Sequence, residues 1–282
     1  MNVLSVDFDY FQNPTLNTVS KYYPDGIDVS TEMSEITWGI RYAFFKEAMD
    51  KVNIREEELD LLKQLLMRQK DSTPVMIAQS HAGIYSFVHK HIPTSKKLMV
   101  CNIDMHHDMY NNNPDLDCGN WCSFLKQEYK TFELQWICNP ISKDMYRFKK
   151  QDTERALKAN RQLLPETLKE IWETKYDVIY LCRSDNWSAP HLDKHFTELC
   201  HLLQDTFQNV ILKDNVDIPR SEYLQIAKDV KDSFGGLYGK NGPNLFDIQM
   251  MESDIAEGYG IDFPGPMQLK TASVKEEAVM EL

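Results

Sequence analysis

Six short apolar runs, each closing on polar residues, constrain what this chain can fold into. They are NVLSVDFDYF (2–11), PVMIAQSH (74–81), KLMVCNIDMHHD (97–108), LQWICNP (134–140), DVIYLCRSDNW (177–187) and NVILKDN (209–215). Their length and apolar continuity predict buried strands. Segments with helical spacing lie between several of them: WGIRYAFFKEAMDKV (38–52), REEELDLLKQLLMRQK (55–70), TERALKANRQLLPETLKEIWET (153–174) and APHLDKHFTELCHLLQDTF (189–207). Strands alternating with helices predict an α/β fold, a mostly parallel sheet covered by helices on both faces in three α/β/α layers. In such folds ligands gather at the carboxyl ends of the strands, where the Asp and His residues of this chain fall.

With 282 residues, 42% of them hydrophobic, one large domain can bury its own core. We expect a single catalytic domain over 1–266 and a flexible tail over 267–282. Residues 12–35 show weak periodicity and read as a loop-rich excursion, either a lid or substrate-facing segment or an ordinary surface loop. Residues 233–265 read as turn-rich from their GG, NGP and FPGP sequences. The formal charge of −12 disfavours nucleic acid and an anionic membrane surface as partners and favours a cationic substrate. No apolar run approaches the roughly 18 to 20 residues that span a bilayer. No signal sequence precedes the first strand, so a cytoplasmic location is expected.

Six cysteines in a chain of this length do not make a disulfide framework. Cys101, Cys138, Cys182 and Cys200 lie in apolar runs and should pack in the core, while Cys118 and Cys122 lack the second pair that a structural zinc site wants. His89, His91, His191, His195 and His201 have no acids at metal spacing and read as structural or surface residues.

The strongest chemical signal is Asp104-Met105-His106-His107-Asp108, directly after an apolar strand. If the segment stays extended, Asp104, His106 and Asp108 share a face and His107 points elsewhere. Mixed carboxylate and imidazole donors suit a divalent ion such as manganese or iron. The same period places Asp7 and Asp9 together in Ser5-Val6-Asp7-Phe8-Asp9-Tyr10-Phe11, where two adjacent carboxylates repel unless a cation or a shared proton compensates, a metal being the simplest compensation. His81 follows a third strand, with the small Ala82 and Gly83 beside it.

Taken together, an N-terminal Ser-x-Asp-x-Asp, a further His and an Asp-x-His-x-Asp followed by GNWCSF resemble the ureohydrolase, or arginase-like, superfamily. Within it the order is similar to the family that includes the peptide arginases of ribosomal-peptide maturation. It departs from arginase itself, whose Ser-x-Asp-x-Asp comes late in the chain. The likeness covers residues 1–125, more loosely 177–195, and nothing beyond about residue 215.

The resemblance implies an arginase-like fold holding two divalent ions, with Mn2+ expected. One ion would be bound by His81 and Asp108, the other by His106 and Asp9, with Asp7 and Asp104 shared. It implies hydrolysis of a guanidino group to urea, on an arginine-containing peptide or on a small free guanidino substrate. His107 is the candidate proton donor, although the strand period turns it away from the ligands. A guanidinium also needs a carboxylate to orient it. The candidates are Asp185 first, then Asp214 and Glu252, and Asp185 could instead bond to Arg183. Trp121 and Trp187 are candidate pocket walls. A homo-oligomer is left open.

Three other functions fit parts of the sequence. Asp7 and Asp9 resemble the opening motif of haloacid-dehalogenase-type phosphotransferases, which leaves the histidines unexplained. His81, His107-Asp108 and Asp185 resemble an HD-type phosphohydrolase, which wants its ligands on helices. A non-catalytic metal-binding protein, or a one-zinc deacetylase-like site, would use the same segments.

Overall fold

The computed structural model describes residues 1–24, 28–110, 113–146, 168–239 and 242–261. All six predicted strands are present: β1 (Asn2–Asp7), β2 (Val75–Ala78), β3 (Leu98–Asp104), β4 (Phe132–Cys138), β5 (Val178–Cys182) and β6 (Val210–Leu212). They form one parallel sheet in the order β4-β3-β1-β5-β2-β6. β1 is central, with β3 and β5 as its neighbours.

The side-chain period of two divides the sheet into two apolar faces. Leu4, Val6, Val75, Ile77, Cys101, Ile103, Ile179 and Leu181 pack on one side against α3 (Glu56–Leu66) and α8 (Asp193–Thr206). Val3, Met76, Ala78, Leu98, Val100, Val178, Tyr180 and Cys182 pack on the other against α4 (Gly83–His91) and α5 (Trp121–Glu128). The fold is therefore three-layered α/β/α. At the carboxyl ends of β1 and β3, the α4/α5 face changes from apolar to polar. Ser5 and Asp7 continue the row of Val3, and Asn102 and Asp104 continue that of Val100, with Ser5 paired in register with Asn102.

Two regions differ from expectation. The excursion over 12–35 contains a helix, α1 (Leu16–Tyr22), and the start of another, α2 (Thr31–Met49). Thr15 caps the first by accepting from Thr18 N at 3.1 Å, and Ser30 caps the second by accepting from Met33 N at 3.2 Å. Both are start signals that apolar periodicity alone does not register. The turn-rich stretch over 233–265 begins at the end of one helix, α9 (Glu222–Phe234), and contains another, α10 (Leu245–Gly258). The latter opens on a capping box between Asn244 and Asp247.

α2, α9 and α10 share a further apolar cluster including Met33, Ile36, Ile40, Ile226, Val230, Ile248 and Met251. Gly39 on α2 permits their close approach, since a Cβ there would lie 2.5 Å from Ile226 Cγ2. The short helices α6 (Ser142–Met145) and α7 (Leu168–Glu173) complete the described elements. The expected helix over 153–174 is seen only in its last part, as α7, and its first part and the expected tail over 267–282 lie outside the described residues. No helix among the described residues is long and apolar enough to cross a membrane.

Candidate metal centre

Asp7, Asp9, His81, Asp104, His106 and Asp108 converge at the carboxyl ends of β1, β2 and β3. Strand alternation delivers only Asp7 and Asp104. Asp9 lies on a 3-10 turn, Phe8–Phe11, which Asp7 caps by accepting from Asp9 N at 3.0 Å. β3 ends at Asp104, and Asp108 reaches the cluster through a left-handed backbone with φ of 54°. The expectation of a continuing extended segment is thus corrected. Tight turns bring Asp9, His106 and Asp108 back to the strand ends, and Asp is among the few residues that tolerate the left-handed region.

Two groups of donors result, buried except for the half-buried His106. Asp7, His81 and Asp104 offer ligand atoms within 4.8 Å of one another, and so do Asp9, Asp104 and His106. Asp104 belongs to both. Its Oδ2 is 3.3 Å from His81 Nδ1 and its Oδ1 is 3.7 Å from His106 Nδ1. His81 Nδ1 is also 3.2 Å from both Asp7 Oδ2 and Asp108 Oδ2, while His106 Nδ1 is 2.9 Å from Asp9 Oδ2.

One ring nitrogen carries at most one hydrogen and cannot bond to three carboxylates at once. Four carboxylates crowd two imidazoles, a concentration of buried like charge that bound protons or a cation must offset. Asp9 Oδ2 and Asn102 Oδ1 are buried without a hydrogen bond of proper geometry among the described residues. A cation satisfies all three observations, so the Asp7, His81 and Asp104 group can hold a metal ion.

A supporting shell fixes these side chains. Ser5 Oγ lies 2.6 Å from His81 Nε2 and turns Nδ1 toward the carboxylates, the arrangement in which a ligating imidazole donates its other N–H. Trp121 Nε1 donates to Asp108 Oδ2 at 2.6 Å, and Asn102 Nδ2 donates to Asp104 Oδ2 at 3.0 Å. Met105 N donates to Asp9 Oδ1 at 3.1 Å, and His106 N to Asp104 Oδ1 at 2.7 Å.

The electrostatics follow from this crowding. Burial, with Asp7 and Asp104 alongside, pushes Asp9 well above the usual carboxylate range, and burial with Asp104 does the same to Asp108. Burial opposes ionisation of Asp104 too, but its bonds with His106 and His81 hold it below the usual range. Burial also disfavours charge on both imidazoles. Asp108, Asp104 and Asp7 nevertheless raise His81, and Asp9 and Asp104 raise His106.

The remaining candidates fall elsewhere. His107 Nδ1 accepts from Met109 N at 2.9 Å, and its ring packs among Tyr110, Tyr146 and Trp136. Burial and the neighbouring His106 push its imidazole down to about 4. An aromatic cage holding a neutral ring does not suit the role of proton donor. Asp185 is committed as well: Arg183 Nε donates to Oδ1 at 2.5 Å, while Arg183 Nη2 and Thr31 Oγ1 donate to Oδ2 at 2.9 and 3.0 Å. The bond to Arg183, held open on sequence, is the one formed.

Glu252 is buried in a pair with Arg41 at 2.5 Å, joining α10 to α2. Asp214 is exposed after β6. Trp121 is fully buried, its ring against His81 and its Nε1 on Asp108, so it backs the cluster from the core. Trp187 is half-buried, with its ring 4.5 Å from that of His106, and does flank the cluster.

Sequence reading missed Ser5 and Asn102 as supports, although the period of two on β1 and β3 places both beside the ligands. It also missed Asp28, whose Oδ2 accepts from Ser80 Oγ. Burial, moderated by Ser80 and aggravated by Asp7, pushes Asp28 up to about 6. In comparisons with known proteins, no family model, no curated protein and no solved structure matched this chain.

Proposed function

We propose that this chain is a binuclear metal-dependent hydrolase of guanidino groups, converting arginine side chains in a peptide to ornithine with release of urea. The observation that carries the reading is the sharing of Asp104 between two Asp/His groups. In this reading His81, Asp108 and Asp7 would hold one divalent ion and His106 and Asp9 the other, with Asp104 available to both. The sequence-based assignment shared Asp7 between the two ions as well; Asp7 groups with His81 and Asp104. Manganese suits such a hard, mixed oxygen and nitrogen set.

A pair of divalent ions supplies positive charge that offsets the carboxylates and promotes ionisation of water near neutral pH. The chain's own residues supply position and exclusion. Ser5, Asn102 and Trp121 lock the donors in place, and Trp187 offers a half-buried apolar wall for an arginine side chain. Chemically, a water oxygen adds to the guanidinium carbon, the bond from that carbon to the chain nitrogen breaks, and urea departs. The freed nitrogen takes a proton to become the ornithine amine.

The net charge of −12 supports a cationic peptide in preference to nucleic acid or an anionic membrane, and a cytoplasmic setting is consistent with this. A phosphotransferase built on Asp7 and Asp9 alone would give no role to the two imidazoles facing them. The testing experiment is urea release by the manganese-loaded protein, offered an arginine-containing peptide and free arginine side by side. Urea from the peptide is expected. Urea from free arginine alone would reassign the substrate, and no urea from either would reject the activity.

A further inference from the structure

A guanidinium brought beside two metal ions has to be met by a carboxylate that no other cation occupies. The acids around the strand ends can be taken in turn. Asp7, Asp9, Asp104 and Asp108 face the imidazoles. Both oxygens of Asp185 are filled by Arg183 and Thr31. Asp193 is filled by Arg220, whose Nη2 lies 2.6 Å from Asp193 Oδ1. Glu252 is paired with Arg41.

Among the acids named here that do not face the imidazoles, Asp28 keeps an open oxygen. Its Oδ2 accepts from Ser80 Oγ, and its Oδ1 is buried with no hydrogen-bond partner among the described residues. Ser80 immediately precedes His81 and also accepts from Ala82 N at 3.2 Å, so the segment that presents the metal ligand holds Asp28 as well. On the other side, Gln79 Nε2 donates to Val29 O and Thr31 Oγ1 donates to Asp185, which fastens the Asp28 segment to the carboxyl ends of β2 and β5.

A buried carboxylate oxygen without a donor is costly in the free protein and becomes favourable when an N–H cation fills it. Planar guanidinium groups, with several N–H donors in a fixed fork, match carboxylates better than any other side-chain cation. We infer that Asp28 is the carboxylate that receives the substrate guanidinium and sets specificity for a cationic side chain, with Ser80 holding it in orientation. This rests on the guanidino-hydrolase reading proposed above.

The test compares steady-state urea release from an arginine-containing peptide with competitive inhibition by the same peptide bearing citrulline, a neutral isostere. Wild-type protein and the variants Asp28→Asn and Ser80→Ala are measured with manganese content determined on each. Asp28→Asn should raise KM for the arginine peptide at least about tenfold, the scale of one lost charge-assisted contact. The citrulline inhibition constant and the bound manganese should stay unchanged. Ser80→Ala should raise KM in the same selective way by a smaller factor.

A merely structural role would weaken both peptides together or strip the metal, and either result would overturn the inference. An unchanged KM in Asp28→Asn would overturn it while leaving the guanidino-hydrolase reading intact. Absence of urea release by the wild-type protein would reject that reading and this inference with it.

Discussion

At Asp104 two oxygens face two different imidazoles, and no other side chain of the cluster belongs to both donor groups. Asp104→Ala should therefore remove both ions and all turnover, while the circular dichroism spectrum stays that of the wild type. Loss of a single ion would show that the groups are independent. Asp9→Asn tests the electrostatics. Burial and the neighbouring carboxylates disfavour its charge, so without metal the variant should be more stable by about 1 kcal/mol or more, read by denaturant unfolding, and should bind one ion fewer. The same crowding fixes the sign of the pH dependence. Asp9 and Asp108 are raised above the carboxylate range, and His81 and His106 above the imidazole range, so the metal-free site retains protons that ligands must give up. Manganese affinity should rise with pH, with net proton release in titrations run in buffers of different ionisation enthalpy. Uptake of protons would contradict the assigned ligand set.

Among elements, the strands were legible because burial on both faces of a parallel sheet writes itself as short apolar runs, and all six runs became strands. The helices over residues 16–22 and 245–258 were not. Their starts are marked by the hydrogen bonds of Thr15 and Asn244 more than by apolar spacing. The six proposed ligands were legible as residue types, and Asp7 and Asp104 also as positions. The turn that carries Asp9 and the left-handed Asp108 were not, since strand period says nothing once the strand has ended. Least legible was the Arg220 network, which depends on contacts between segments far apart in sequence. Arg220 donates to Asp193 on α8, to Ser34 on α2 at 3.1 Å and to the carbonyls of Asp185 and Ser188 at 2.6 and 2.7 Å. Arg220→Ala should strip the buried Asp193 of its guanidinium partner, leaving it the backbone N–H of residue 220 and Arg183 Nη1 at 3.8 Å, and destabilise the fold by about 3 kcal/mol, measured by urea unfolding of the metal-free protein. A change below 1 kcal/mol would show that this network does not hold α2 and α8 to the sheet.

For the whole molecule, the sheet order puts β1 between β3 and β5, the carboxyl ends of β1, β2 and β3 gather the Asp/His cluster, and Ser80 after β2 holds Asp28 there. The formal charge of −12 acts on any partner by long-range attraction or repulsion, and the proposed cationic substrate is the kind it would attract. The proposed activity depends on the buried Asp/His cluster being a two-ion centre. The most direct test is the metal content of the wild-type chain after manganese loading and dialysis, with Asp104→Ala treated in parallel. Two ions per wild-type chain and none in the variant are expected; a wild-type chain that retains no metal would contradict the account.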